Sequence, residues 1–165
     1  MSDAFRASDY LSYNSETGVF TWIARYKTSH VIIGSNAGTL TKKGYTRIRV
    51  PTMGYVMAHR LAWWFHYQEW PENQIDHING ERSDNRIINL RQATNAQNQH
   101  NSQVRKDSKT GVKGVTWNAQ RQAYVVQIHA NKVKRYLGCF NDLETAARAY
   151  ADAAIEMHGE YRRVA

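Results

Sequence analysis

The residues able to do chemistry gather in one stretch, Asp76 to Asn101, which reads DHINGERSDNRIINLRQATNAQNQHN. Asp76 and His77 stand side by side, Asn89 sits inside Asn-Leu-Arg, and Asn98 comes near the end. An imidazole with an unperturbed pKa near ~6.5 can take a proton from water at neutral pH. The carboxylate beside it can hold a cation. A base that activates water, together with a group that stabilises charge on phosphate, is the equipment for phosphodiester hydrolysis.

These side chains need elements to hold them. Gln74 to Ile78 reads as a strand, and Asn79-Gly80 opens a turn because both residues accept positive φ cheaply. Glu81 to Arg86 is a polar loop, Ile87 and Ile88 return toward the core, and Asn89-Leu90-Arg91 closes the hairpin. Thr94 suits a helix N-cap, with Gln97 three residues on to complete a capping box. That helix would carry Asn98. Alternation sends adjacent strand residues to opposite faces, so Asp76 and His77 share a site only if the strand ends or twists there.

This pattern resembles the HNH nuclease family, in the form common in phage and intron homing endonucleases. The family's third letter is often His, and Asn98 takes that place here, as in the homing-type branch. The resemblance implies a ββα hairpin that binds one divalent cation through Asp76 and Asn98. Hard oxygen ligands suit Mg2+ or Mn2+. It implies a catalytic pair of His77 as general base and Asn89 tying the hairpin together and helping to orient that base, with Arg91 on a phosphate or simply at the surface. His100 or Asn101 replaces Asn98 if the helix register shifts. An HRLAW-like helix packs beneath the hairpin in this family, which brings His59 and Arg60 toward DNA; the plainer alternative has His59 buttressing the helix.

Upstream, a helical turn or two is expected around Phe5, Tyr10 and Leu11. Turn chemistry follows at 14–18, then β-formers from Val19 to Ile23, short strands at Thr39-Leu40 and Tyr45 to Val50, and a turn at 51–54. His59 to Tyr67 reads as an apolar helix ending before Pro71. Residues 102–110 are polar and charged, the texture of a linker.

Beyond it the texture changes again. Strands are expected at Lys113 to Trp117, Tyr124 to His129 and Val133 to Leu137. An Ala-rich helix follows from Leu143 to Gly159, with Asn141 or Asp142 as N-cap and small residues on its packing face. Val126 and Ile128 would face that helix, leaving Gln127 and His129 outward with Lys134 and Tyr136. GVKGVTW, AYVVQI, RYLGCF and ETAARAYADAAIEMHGE resemble the plant Apetala-two/ethylene-response-factor DNA-binding domain. That family puts its sheet in the major groove. The resemblance assigns Lys113, Thr116, Asn118, Gln127, His129, Lys134 and Tyr136 to the groove, with Arg121 added by charge and position. Several of these differ from the family's usual Arg, Trp and Glu, so docking carries over and sequence preference does not.

Composition agrees. The formal charge of +8 over 165 residues favours a polyanionic partner. The single Cys139 excludes an internal disulfide and a Cys-rich zinc site. No apolar run approaches the ~20 residues that span a bilayer, and MSDAFRASDY lacks a signal peptide's apolar core. The expected protein is α+β and cytoplasmic, in a host cell if phage-encoded. Residues 1–101 form an HNH nuclease domain with a β-rich extension, 102–110 a linker, and 111–165 a three-stranded antiparallel sheet packed on one helix. It would cut double-stranded DNA with site preference. A binding regulator that kept the fold and lost cleavage is the alternative. RNA binding is weaker, because the sheet exposes few aromatics for stacking.

Overall fold

A computed structural model gives an α+β chain that divides into two compact units, 1–94 and 95–165. It describes residues 7–26, 30–51, 53–102, 104, 107–130 and 133–161. Phe5, Thr52 and the linker residues Gln103, Arg105 and Lys106 lie outside these.

The first unit opens with an antiparallel hairpin of β1 (Leu11–Tyr13) and β2 (Phe20–Trp22). Asn14 Oδ1 makes its turn by accepting the Glu16 and Thr17 N–H groups at 2.9 and 3.0 Å. The helical expectation around Tyr10 and Leu11 is corrected here. A single turn closes from Leu11 N–H to Ala7 O, and Leu11 then enters β1, where its side chain is 1% exposed. Strand pairing and burial of one large side chain outweigh local helix preference over so few residues.

Next comes a three-stranded sheet of β3 (Thr39–Leu40), β4 (Thr46–Val50) and β5 (Gly54–Met57). The sequence pattern assigns no strand to β5, yet it pairs with β4 from Arg47↔Met57 to Val50↔Gly54. Ile48 and Val50 are fully buried while Arg47 and Arg49 are exposed, the expected period of two. Helix α1 (Ala58–Tyr67) buries Ala58, His59, Leu61, Ala62, Trp63 and Trp64. It stops at Gln68, whose left-handed conformation (φ 58°) returns its N–H to Trp64 O. Strands β6 (Gln74–His77) and β7 (Leu90–Ala93) form the second hairpin, with Ile75 and Leu90 in the same core. Ile87–Asn89 is a short 3-10 turn; Ile87 packs on the core, but Ile88 is 82% exposed rather than inward. The tighter turn rotates Ile88 away.

The second unit begins with α2 (Asn95–His100) and continues with an antiparallel sheet in the order β10-β9-β8. Its strands are β8 (Val115–Asn118), β9 (Ala123–Ala130) and β10 (Val133–Phe140). Helix α3 (Leu143–His158) packs Ala146 against Val115 and Val126. Asp142 caps it, accepting the Thr145 N–H at 2.7 Å, and Gly159 ends it.

The observed division falls before α2, whereas the sequence texture places a linker at 102–110. The reason is Lys113. Its ammonium donates to the carbonyls of Gln99, His100 and Ser102 at 3.2, 2.7 and 3.0 Å, at and just past the end of α2, where a cation meets the negative end of the helix. His100 also stacks on His158 at the end of α3, with centroids 3.7 Å apart. A chain of residues 95–165 is therefore expected to melt above one of residues 103–165. Ammonium bonds to helix-end carbonyls worth about 1 kcal/mol correspond to roughly 4–8 °C in a unit of this size. Thermal melts of the two, and of 95–165 with Lys113→Met, check this; equal midpoints refute the clamp.

Candidate active site

The β6–β7 register sets Asp76 opposite Arg91 and His77 opposite Leu90. Asn89 closes the loop between the strands with its whole amide. Oδ1 accepts the Asn79 N–H at 3.0 Å and Nδ2 donates to Asp84 O at 2.9 Å. The Ile78 N–H reaches Asn89 O at 2.9 Å, extending the ladder one step. Asp84 then takes bonds from Asn79 Nδ2 and from Arg86 Nε and Nη2. The Arg86 bonds hold its carboxyl down at about 2. Asn89 is thus spent on shaping the loop.

That loop delivers Asn85, a residue that sequence reasoning treats as ordinary turn chemistry. Its side chain is buried and lies between two partners. Nδ2 donates to Ser83 O at 3.0 Å, so Oδ1 is the end that faces His77 Nε2, 3.4 Å away. An acceptor there requires the proton on Nε2, which leaves the lone pair on Nδ1, the form a general base needs. The contact is long, as such bonds often are before substrate binds. The backbone of Asn85 is fixed from the far end of the unit. Tyr13 Oη donates to Asn85 O at 2.8 Å, and the Ile87 N–H reaches Ser15 O at 3.1 Å. Gly18, at φ 73°, lies so close that a Cβ would stand 2.5 Å from Arg86 N and 2.6 Å from Asn85 C. Burial pushes the Tyr13 hydroxyl up to about 12, keeping it a donor.

His77 itself is 4% exposed. Burial lowers its pKa, against the opposing pull of the Asn85 bond and of the Asp76 and Asp84 carboxylates. The sequence expectation of an unperturbed imidazole is corrected accordingly: His77 stays neutral to lower pH. Its ring meets His59 edge to face (centroids 5.2 Å, 83°) and Tyr45 at 5.9 Å; His59 and Tyr45 are 5.4 Å apart. Arg82 covers Tyr45 from 5.0 Å. His59, placed by α1, is 9% exposed and held down at about 3, chiefly by burial and then by His77 and Arg60. Arg60 turns to the carbonyls of Pro71 and Asn73, both at 3.3 Å.

Asp76 has different company. Arg91 Nε and Nη2 both donate to its Oδ2, at 2.9 and 2.7 Å. The two side chains are only 5% and 12% exposed. In this fold Arg91 is the partner of Asp76. The structure brings His77, Asn85, Asn89 and His59 together around one loop, and Asp76 with Arg91 across the ladder. Asn98 lies on α2, in the other unit, with His100 and Asn101 beside it.

With this geometry in view, the comparison with known proteins is direct. Residues 56–100 match the HNH endonuclease family. The matched span runs from β5 through α1 and the β6–β7 hairpin to α2. The chain is also 29% identical over 89 residues to Protein 3.8 of Escherichia phage T7, covering 54% of this chain and 73% of that one. No solved structure matches the chain significantly. Among the described residues no helix is long and apolar enough to cross a membrane.

Beyond the matched segment, the second unit shows the expected sheet face. Cross-strand pairs project to one side, and Thr116↔Val125, Gln127↔Tyr136 and His129↔Lys134 form successive rows of it. Thr116, His129, Lys134 and Tyr136 are exposed, Gln127 is half-buried, and Val126 and Ile128 face inward. Arg121 joins this face by donating to Cys139 Sγ at 3.6 Å. Asn118 Oδ1 is used in the β8–β9 turn, accepting the Arg121 N–H at 3.0 Å. Lys113 does not join the face; its ammonium is held by α2.

Two outcomes follow from the packing. Gly18→Ala introduces a clash with backbone and a strained positive φ, so a loss of about 1–3 kcal/mol is expected in urea unfolding; an unchanged midpoint refutes the close approach. Acid should also destabilise the first unit. His59 binds a proton in the unfolded chain below pH ~6.5 that the fold refuses until about 3, so its contribution is full above that upper value and drains away as pH falls. From pH 7 to pH 5 this is roughly 1–2 kcal/mol, with His77 shifted the same way. Urea midpoints at the two pH values should differ less in His59→Phe than in the wild type.

Proposed function

We propose that this chain is a metal-dependent, site-preferring endonuclease of homing type that hydrolyses phosphodiester bonds in double-stranded DNA inside the host cell. The observation that carries the reading is the arrangement of His77 within the matched HNH segment: buried, neutral, and with Nε2 directed to Asn85 Oδ1. In this reading His77 Nδ1 takes a proton from the attacking water. Asn85 keeps the imidazole in its reactive tautomer, and accepts more strongly from the imidazolium that forms. Asn89 positions the loop and does not touch the reacting atoms. Residues 1–101 would do the cutting in a ββα arrangement. The sheet of 111–165 would read DNA through Thr116, Arg121, Gln127, His129, Lys134 and Tyr136, with Asn118 at its turn.

HNH nucleases generally use divalent metal ions. The donor chemistry here fits one: Asp76 carboxylate and Asn98 amide oxygen are hard ligands suited to Mg2+ or Mn2+. Arg91 donates to Oδ2 of Asp76, and a carboxylate has lone pairs enough to serve more than one partner. When bound, the cation would polarise the phosphate and stabilise the leaving 3′ oxygen.

The Arg91 pair favours one competing reading. A carboxylate neutralised by a buried guanidinium is also what a DNA-binding regulator with an idle HNH fold would keep. Plasmid nicking with Mg2+ or Mn2+ decides between them. Cleavage should occur, vanish in EDTA while DNA binding persists, and fall by roughly 10²–10⁴ in His77→Ala. The acid limb of the rate should lie below the ordinary imidazole pKa of ~6.5, because burial lowers that of His77. Tight DNA binding by the wild type with no cleavage in either metal selects the regulator.

A further inference from the structure

The inference concerns His59 and rests on the nuclease reading. His59 Nδ1 is completely buried and has no hydrogen-bond partner among the described residues. An imidazole nitrogen left this way destabilises the fold relative to a satisfied one. The surroundings are otherwise suited to an apolar ring: α1 buries Leu61, Ala62, Trp63 and Trp64 nearby, and Tyr45 covers one side. Phe would place an aromatic ring there with no polar atom left unpaired. The first unit keeps an imidazole here all the same, with its ring edge to face against the ring of the base, 5.2 Å from it.

We infer that His59 is a second imidazole of the active site, a water-positioning residue whose ring nitrogen hydrogen-bonds the nucleophilic water while His77 takes the proton. Water is the partner that fits the chemistry. A neutral imidazole offers one donor and one acceptor, and water satisfies either, whereas a phosphate oxygen accepts only. A charged group at this position would weaken the neighbouring base; an imidazole held neutral by burial does not. The proton balance is unchanged: it passes from water to His77, and His59 neither gains nor loses one.

Three proteins test this: wild type, His59→Phe and His59→Asn, whose side-chain amide lies where Nδ1 does. Thermal melts at pH 7, duplex-DNA affinity without metal, and kcat and KM for nicking with saturating Mn2+ are measured on each. His59→Phe should stay folded at the assay temperature, bind DNA equally, and lose roughly 10²-fold in kcat with KM little changed. His59→Asn should recover a good part of that loss. A His59→Phe variant that nicks at the wild-type rate overturns the inference, and so does a Phe loss that Asn fails to restore. A wild type that cleaves nothing takes down the nuclease reading itself, whereas a wild type that cleaves alongside an equally active His59→Phe takes down this inference alone.

Discussion

The hydrogen bond from His77 Nε2 to Asn85 Oδ1 is the constraint on which the site depends. A neutral histidine can carry its proton on either nitrogen, and only one choice leaves the lone pair where a base can use it. Asn85 makes that choice because its own orientation is already decided by Ser83 O. A buried amide with both ends engaged has one stable pose. An amide with one free end would flip and take the tautomer with it. Everything that fixes Asn85 therefore fixes the chemistry: the loop closed by Asn89, the Asp84–Arg86 clasp, and the backbone brace from Tyr13 and Ser15.

Electrostatics are divided between the two faces of the β6–β7 ladder. On one face, burial keeps His77 and His59 neutral among aromatic rings, a setting suited to moving protons. On the other, the ladder holds the opposite charges of Asp76 and Arg91, each compensating the other's desolvation. The two residues are adjacent at the end of β6, and the Asp76 carboxylate still acts on the His77 ring. The Asp-His dipeptide thus places a carboxylate and a base within one short strand while giving them separate surroundings.

Much of this was legible in the sequence, and what was missed has physical causes. Asp76, His77 and the turn at Asn79-Gly80 announce themselves by residue type and spacing. The alternation in β4 and β9, the Asp142 cap and the Ala face of α3 are local patterns, and the structure reproduces them. Asn85 was hidden because its importance comes from Tyr13 and Gly18, far away along the chain, and no local pattern carries such a contact. Strand β5 is hidden because it begins at Gly54, a residue whose neighbours read as a turn. Arg91 reads as a phosphate contact or a surface cation and Lys113 as a groove residue; charge is visible in a sequence, but the carboxylate or carbonyls that engage it in the fold are not. One broad signal went unread: no Asp or Glu occurs between Glu16 and Glu69, while seven Lys and Arg do.

The brace from Tyr13 to Asn85 spans 72 positions of the chain, and that separation bears on how the protein acquires its structure. Closing so long a loop costs entropy before any contact rewards it, and contacts of this range slow folding. The β1–β2 hairpin is made from local contacts and leaves the ribosome first. Its docking surface arrives only when the loop around Asn85 has been synthesised. The tautomer of the base is accordingly among the later features to be set. A chain interrupted before that docking would hold most of its secondary structure and the whole Asp-His pair, yet lack the ordered site.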